Sequence, residues 1–479
     1  MTDHSYMISS MNSNEAKSPL FDAAVIGGGV VGCAVLRALT LVGLKCLLLE
    51  RGPDLLSGAS KANSAILHTG FDVSTGTLEA RLIQAGRTQY LKIREQLGLP
   101  LLETDAVLVA WSEEQSRKLP AIMNKACING ITTVRPLNAD ELRIFYPGLS
   151  ESAVAALKIP GEYVVDPWST PLAYALQALI NGARIERLAE VQNAKRCDKA
   201  WCLSTPIGEF RAKLVINCAG NFGDVVESYV RPSPFKIKPR KGQFIVLDKT
   251  ARRWVPSIVL PVPSEYTKGI VVSPTIFGNV LVGPTAEDQE DREQASVDSV
   301  TLENLLGEAA RIIPALADEP ICATFAGLRP AIEQNDYFIE ALPDKFWITV
   351  SGIRSTGLTA ALGIADFVTN LVEQHFMRLA PIQDPLWPQL PNLAEHLPRD
   401  HQRPGRGDLV CLCELVTRGE VNAALSGPLP AGDMGGLRRR TRAGLGRCQG
   451  FNCMAELSSI ANGKLLRPLP LPERNTVAV

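Results

Sequence analysis

The sequence predicts an α/β protein with a Rossmann-type domain at its N-terminal end and a small cysteine-bearing unit at its C-terminal end. Three observations carry this. Residues 21–50 read as strand, glycine turn, helix and strand. Strand and helix patterns then alternate to about residue 235. Near the other end, Cys411-Leu412-Cys413 and Cys448-x4-Cys453 enclose an arginine-rich segment. At 479 residues the chain exceeds one ordinary core, so two to four domains are expected.

Phe21-Asp-Ala-Ala-Val-Ile26 is apolar but for Asp22 and reads as a short buried strand. A helix follows to about Val42 and is closed by Gly43; Lys45–Leu49 is a strand ending in Glu50. The passage Ser57–Gly76, rich in Gly, Ser and Asn, has no period and reads as active-site loop. Further strands are expected at Gln243–Leu247, Ile270–Ser273, Val280–Val282 and Phe346–Val350, with helices near 299–312 and over Gly357–Val372. Six prolines between 381 and 404 sustain neither helix nor sheet, which predicts a linker over 376–404. A compact unit over 405–466 and a tail over 467–479 close the chain. Residues 1–20 are polar, lack the apolar segment of a signal peptide, and read as a disordered lead with Met7 and Met11 as alternative starts.

The net charge of −1 points to neither nucleic acid nor a membrane surface. No window of 18 uncharged apolar residues exists, which argues against a membrane span. Of eleven cysteines, seven are scattered singly, which suits a reducing compartment better than a disulfide framework. The expectation is a cytoplasmic enzyme, docked if at all at the inner face of the cell membrane through a partner.

Gly27-x-Gly29-x-x-Gly32 lies between a strand and a helix, and Glu50 falls 18 residues beyond Gly32 at the end of the next strand. The glycines permit a tight turn and close approach to a pyrophosphate on the helix N-terminus, and Glu50 can accept from ribose hydroxyls. This fingerprint serves FAD and NAD alike. The four clustered thiols Cys411, Cys413, Cys448 and Cys453 suit a [2Fe–2S] cluster, or a structural zinc.

A family resemblance narrows these choices. Ser57-Gly-Ala-Ser60, Asn63–Asp72 with its His-Thr-Gly, Val165-Asp-Pro167, Val215–Gly220, Pro239–Gly242, Gly327-Leu-Arg-Pro330 and Ser351–Leu358 follow in order. Together they resemble the flavoproteins of the D-amino-acid-oxidase superfamily, and within it the FAD-dependent glycerol-3-phosphate dehydrogenases and oxidases and the L-2-hydroxyglutarate dehydrogenases. The resemblance implies FAD, a body over 21–375, a FAD part of about 21–105, 146–235 and 322–375, and an inserted α+β substrate part of about 106–145 and 236–321. It implies FAD contacts at Ser60, Asn63, Ser64, Val191, Ala219, Gly220, Gly352, Ser355, Thr356, Gly357 and Leu358.

His68 is the candidate base for a hydroxyl proton, because the other four histidines lie at 4, 375, 396 and 401, outside the flavin-binding interior. A structural or flavin-packing histidine is the alternative. By the resemblance Arg329 holds the substrate's anionic group, with Arg354 as a second candidate or a bridge between domains, and Lys241 as a further source of positive charge. The reaction expected is dehydrogenation of a small anionic secondary alcohol, foremost sn-glycerol 3-phosphate to dihydroxyacetone phosphate. A 2-hydroxy acid of the L-2-hydroxyglutarate kind, an amine or opine substrate, or a non-catalytic redox adaptor are the alternatives.

Val410–Thr417 and Leu437–Cys453 resemble the [2Fe–2S] domain of bacterioferritin-associated-ferredoxin type, in the version that ends the catalytic subunit of anaerobic glycerol-3-phosphate dehydrogenases. The stand-alone ferredoxin closes with Cys-x-x-Cys; here the spacing is x4, as in the dehydrogenase version. The resemblance implies electron delivery through the cluster to a quinone-linked membrane subunit or another redox partner protein. The arginines 438–440, 442 and 447 are expected to balance cluster charge or to dock an acidic partner.

Overall fold

The computed structural model describes residues 19–263 and 269–469. Most of the expected lead and tail lies outside them, and Leu20 already begins the first strand.

Leu20–Ile26 sits inside an eight-stranded sheet, parallel to Gly208–Asn217 on one side and to Cys46–Leu49 on the other. Arg184–Glu186 extends the sheet beyond Cys46–Leu49, and Trp347–Ser351 pairs parallel with the end of Gly208–Asn217. A strand with parallel neighbours on both edges has both faces covered, which is why Ala23–Ile26 is wholly apolar and buried. The helix Val30–Leu41 is wedged among the helices Ser169–Ile180 and Gly357–His375, with Leu78–Ile93 against the last, and so it is apolar nearly all round.

A nine-stranded sheet forms the second layer of the body. The long strands Lys238–Leu247 and Ile321–Ala331 run antiparallel over ten residue pairs, and Asp105–Ala110 pairs with Ala155–Pro160. This moves two boundaries expected from the sequence. Residues 155–160 and 322–331 belong to the substrate sheet rather than the FAD part, because their ladders run to 105–110 and 238–247. Ile321–Ala331 therefore runs through the substrate sheet and delivers Arg329, near its end, to the cavity described below.

The prolines of 381–404 do exclude helix and strand up to Arg399, but this stretch is a docked strap, not a loose linker. Ala380 and Ile382 N–H donate to Val42 and Leu41 carbonyls, Leu390 N–H to Leu97 O, and Glu395 N–H to Ile276 O. Leu393 and Ala394 are buried, and Trp387 lies under the Arg37 guanidinium. Proline removes donors without preventing its neighbours from donating, so the strap bonds between its prolines.

The C-terminal unit has a hairpin (Leu409–Cys411 with Val416–Thr417), three short helices (Arg418–Ser426, Met434–Thr441, Met454–Ala461) and its own apolar core. Thr417 and Glu420 form a reciprocal capping box on the first helix. Among the described residues no helix is long and apolar enough to cross a membrane.

Candidate functional site

One cavity of about 340 Å³ runs from the Gly27–Val31 turn to His68, Arg329 and Arg354. At one end Gly27 stands at φ +105°, and a Cβ there would lie 2.5 Å from Cys218 O. Gly32 does not line the cavity; a Cβ there would sit 1.9 Å from Gly27 O, so it lets helix and turn touch. Glu50 is buried, and its two oxygens accept Gly28 and Gly52 N–H at 2.7 Å each. Burial raises its pKa against the opposing pull of those two donors. A carboxylate offers about four acceptor positions, so capacity for ribose hydroxyls remains.

Ser60 Oγ accepts Val30 N–H at 2.9 Å, tying the Ser57–Gly76 loop to the helix start. Asn63 spans its own turn, donating to Ser60 O and accepting from Ala65 N–H. Ser64, Val191, Ala219, Gly220, Gly352, Ser355, Gly357 and Leu358 all line the cavity. Thr356 does not: its side chain is buried away from the cavity, bonded to Tyr337 Oη and Glu79 Oε1, because the turn into the helix Gly357–His375 points it outward. The N-terminus of that helix faces the cavity, where it favours negative charge.

His68 follows the short strand Ile66–Leu67, which pairs antiparallel with Tyr163–Val165. The register sets Leu67 opposite Tyr163 and so brings His68 beside Glu162. His68 Nδ1 lies 3.0 Å from Glu162 Oε2, and His68 N–H donates to Thr359 Oγ1. Glu162 is fully buried and its other oxygen accepts Thr69 N–H and Oγ–H at 2.7 and 2.6 Å. A carboxylate only accepts, so Nδ1 carries a proton, and in the neutral imidazole the basic nitrogen is then Nε2. Sequence reading missed Glu162; its one signal was a lone acid in the otherwise uncharged run 159–165.

Arg329 lines the cavity and donates to Thr285 O at 3.1 Å, and among the described residues it makes no ion pair. Burial, aided by repulsion from Arg240, pulls its guanidinium down to about 10. A cation so placed favours an anionic ligand. Arg354 also lines the cavity. Lys241 does not; its ammonium is paired with Glu287 at 3.0 Å.

In the C-terminal unit Cys413 neighbours Cys448 and Cys411 neighbours Cys453, with the two pairs in each other's electrostatic field. Backbone N–H groups of Asn452, Gly450 and Phe451 point at the Cys448 sulfur, and the Asn452 bond leads in lowering its pKa. Burial pushes Cys453 up to about 12. Among the described residues no three His, Cys, Asp or Glu side chains stand at the spacing of a metal-ion site. The donor chemistry, four thiols with amide donors around one of them, is that of an iron–sulfur ligand set. The arginine run is not a free basic face: Arg439, Arg440 and Arg442 turn onto the body, Arg442 lying 4.2 Å over the Phe277 ring and bonded to Glu414.

The cavity fits FAD on its own features: a turn that leaves no space for a Cβ, an acid at the second strand end, and a helix N-terminus at the far side. Comparison with known proteins agrees. The family model "FAD dependent oxidoreductase" matches residues 22–371, and "BFD-like [2Fe-2S] binding domain" matches residues 409–462. A glycerol 3-phosphate dehydrogenase of Caloramator mitchellensis is 31% identical over 92% of this chain and 94% of its own. One subunit of the anaerobic glycerol-3-phosphate dehydrogenase of Escherichia coli K12 is 25% identical over 92% of this chain and 87% of its own. The solved L-α-glycerophosphate oxidase of Mycoplasma pneumoniae, with FAD bound, superposes with a TM-score of 0.72 at 28% identity, covering 77% of this chain and 97% of that one.

Proposed function

This chain belongs to the FAD-dependent oxidoreductase family and carries a BFD-like [2Fe–2S] domain, and on that premise we propose that it dehydrogenates sn-glycerol 3-phosphate to dihydroxyacetone phosphate. The observation that carries this reading is His68, backed by the buried Glu162, lining one cavity with Arg329 and Arg354.

When bound, FAD supplies the hydride acceptor at the cavity and the [2Fe–2S] cluster the one-electron outlet to a quinone or protein acceptor. The chain's own residues do the rest. Arg329, with Arg354, binds the phosphate and sets the secondary carbinol against His68. His68 Nε2 takes the hydroxyl proton as the carbon gives up its hydride; Glu162 holds the imidazole in that tautomer and stabilises the imidazolium that forms. Cys411, Cys413, Cys448 and Cys453 would hold the cluster. The Escherichia coli relative is named as one subunit of its enzyme, which supports a partner subunit here; through that partner the protein, in the cytoplasm, would meet its acceptor at the membrane's inner face.

The test is anaerobic titration of the holoenzyme with sn-glycerol 3-phosphate, L-2-hydroxyglutarate and glycine. Bleaching of the flavin band by the phosphate alone supports the reading. Bleaching by either of the others in its place overturns the substrate, and silence with all three overturns the enzyme class named here.

A further inference from the structure

Asp54 is fully buried in the loop that follows Glu50, yet the charge that answers it comes from the C-terminal unit. Arg440 grips it with two bonds, Nη1 to Oδ2 at 2.6 Å and Nη2 to Oδ1 at 2.9 Å. Gly432 N–H donates to Oδ2 at 3.2 Å, while the body's nearest cation, Arg187, stands 4.0 Å away. At Gly436 a Cβ would lie 1.5 Å from Asp54 Oδ2, so the helix Met434–Thr441 rests directly on the carboxylate. Beside it Arg439 Nη2 donates to Leu55 O at 3.1 Å.

The other side of this loop walls the cofactor cavity. Leu56 N–H donates to Gly28 O at 3.0 Å, and Ser57 Oγ donates to Asp54 O at 2.6 Å. Ser57–Ser60 line the cavity, and Ser60 Oγ meets the N–H of Val30 at the helix start. The glycine turn, the loop and the C-terminal helix therefore form one continuous bonded path.

We propose that the helix Met434–Thr441 is a positioning element for FAD, with Asp54 and Arg440 as positioning residues, so that cofactor affinity and seating of the C-terminal unit are one coupled equilibrium. This rests on the reading that the cavity holds FAD. A buried carboxylate stripped of its closest cation, with Arg187 left at 4.0 Å, is costly, and the relief open to it is to swing the loop toward water, which moves Ser57–Ser60. Coupling of binding equilibria is reciprocal, so FAD must in turn tighten the seating of the helix. The flavin is then held firmly only when the unit that carries its electrons away is in place.

The test uses the full-length chain, stripped of FAD and titrated with it by fluorescence. Arg440→Gln and Asp54→Asn each raise the FAD dissociation constant about 5- to 150-fold. The double variant is less than additive, Arg440→Lys recovers part of the loss, and iron content matches the wild type. Dissociation constants within twofold of wild type in folded variants overturn the proposal. Where the variants do not fold, hydrogen exchange of the wild-type chain decides. Slower exchange in residues 432–441 on adding FAD supports the coupling, and unchanged exchange there overturns it. A wild-type chain that binds no FAD at all refutes the cavity reading instead.

Discussion

Glu162 and His68 are 94 positions apart in sequence and 3.0 Å apart in space, carboxylate oxygen to Nδ1. The pairing comes from the register of two very short strands, and Thr69 holds the remaining carboxylate oxygen so that the acid cannot swing away. His68→Asn is expected to cut kcat by roughly 10²–10⁴-fold, the usual contribution of a positioned base, with FAD content unchanged. Glu162→Gln keeps the size of the side chain but lets the imidazole take the wrong tautomer, and should cost about 10²-fold or more in kcat at little change in KM. Steady-state rates with an artificial acceptor, alongside flavin content, measure both.

On the proposed reading, Arg329 contributes binding rather than proton transfer. Removing one charge-assisted contact of roughly 1.5–3 kcal/mol corresponds to about 10–150-fold in affinity. Arg329→Met should raise KM for sn-glycerol 3-phosphate by that factor with a smaller change in kcat, and Arg329→Lys should fall between. Equal losses from His68→Asn and Arg329→Met in kcat alone would contradict the division of roles.

Separate roles are also expected of the two cofactor sites. Cys413→Ser or Cys448→Ser should abolish iron binding and delivery of electrons to the acceptor, while anaerobic reduction of the flavin by substrate persists. Iron analysis and single-turnover flavin absorbance distinguish the two steps.

Asp298 caps the helix Ser299–Ile312 and is held at about 2, chiefly by the Gln243 side-chain amide and then by Thr301 N–H, against an ordinary value of 3.8. A depressed carboxyl adds stability above its unfolded value and loses it as pH falls through the folded one. Asp298→Ala should therefore lower the melting temperature at neutral pH, and the difference should shrink between about pH 4 and pH 2. Thermal melts across that window measure it.

How much of this was legible in the chain divides along physical lines. The glycine turn, Glu50, the cysteine pairs, and the strands and helices near 243–247, 280–282, 299–312 and 357–372 are local signals, because a turn, a cap or an apolar period is settled within a few residues. The Thr356 side chain turns to Tyr337 and Glu79 instead of lining the cavity, and Gly32 meets Gly27 O; both depend on which way a residue points, which spacing alone does not give.

What the sequence determined by itself is the chemistry available: a dinucleotide turn, one histidine in the interior, arginines for an anion, and four thiols at the tail. Tertiary structure decided which groups meet. Strand register brought Glu162 to His68, an eleven-residue strand carried Arg329 from the substrate layer to the cavity, and a helix some 380 residues downstream turned its arginines inward onto Asp54 and Leu55. Such pairings are set by long-range burial and ladder formation, in which a charge seeks its partner through space, and no local pattern in the chain records them.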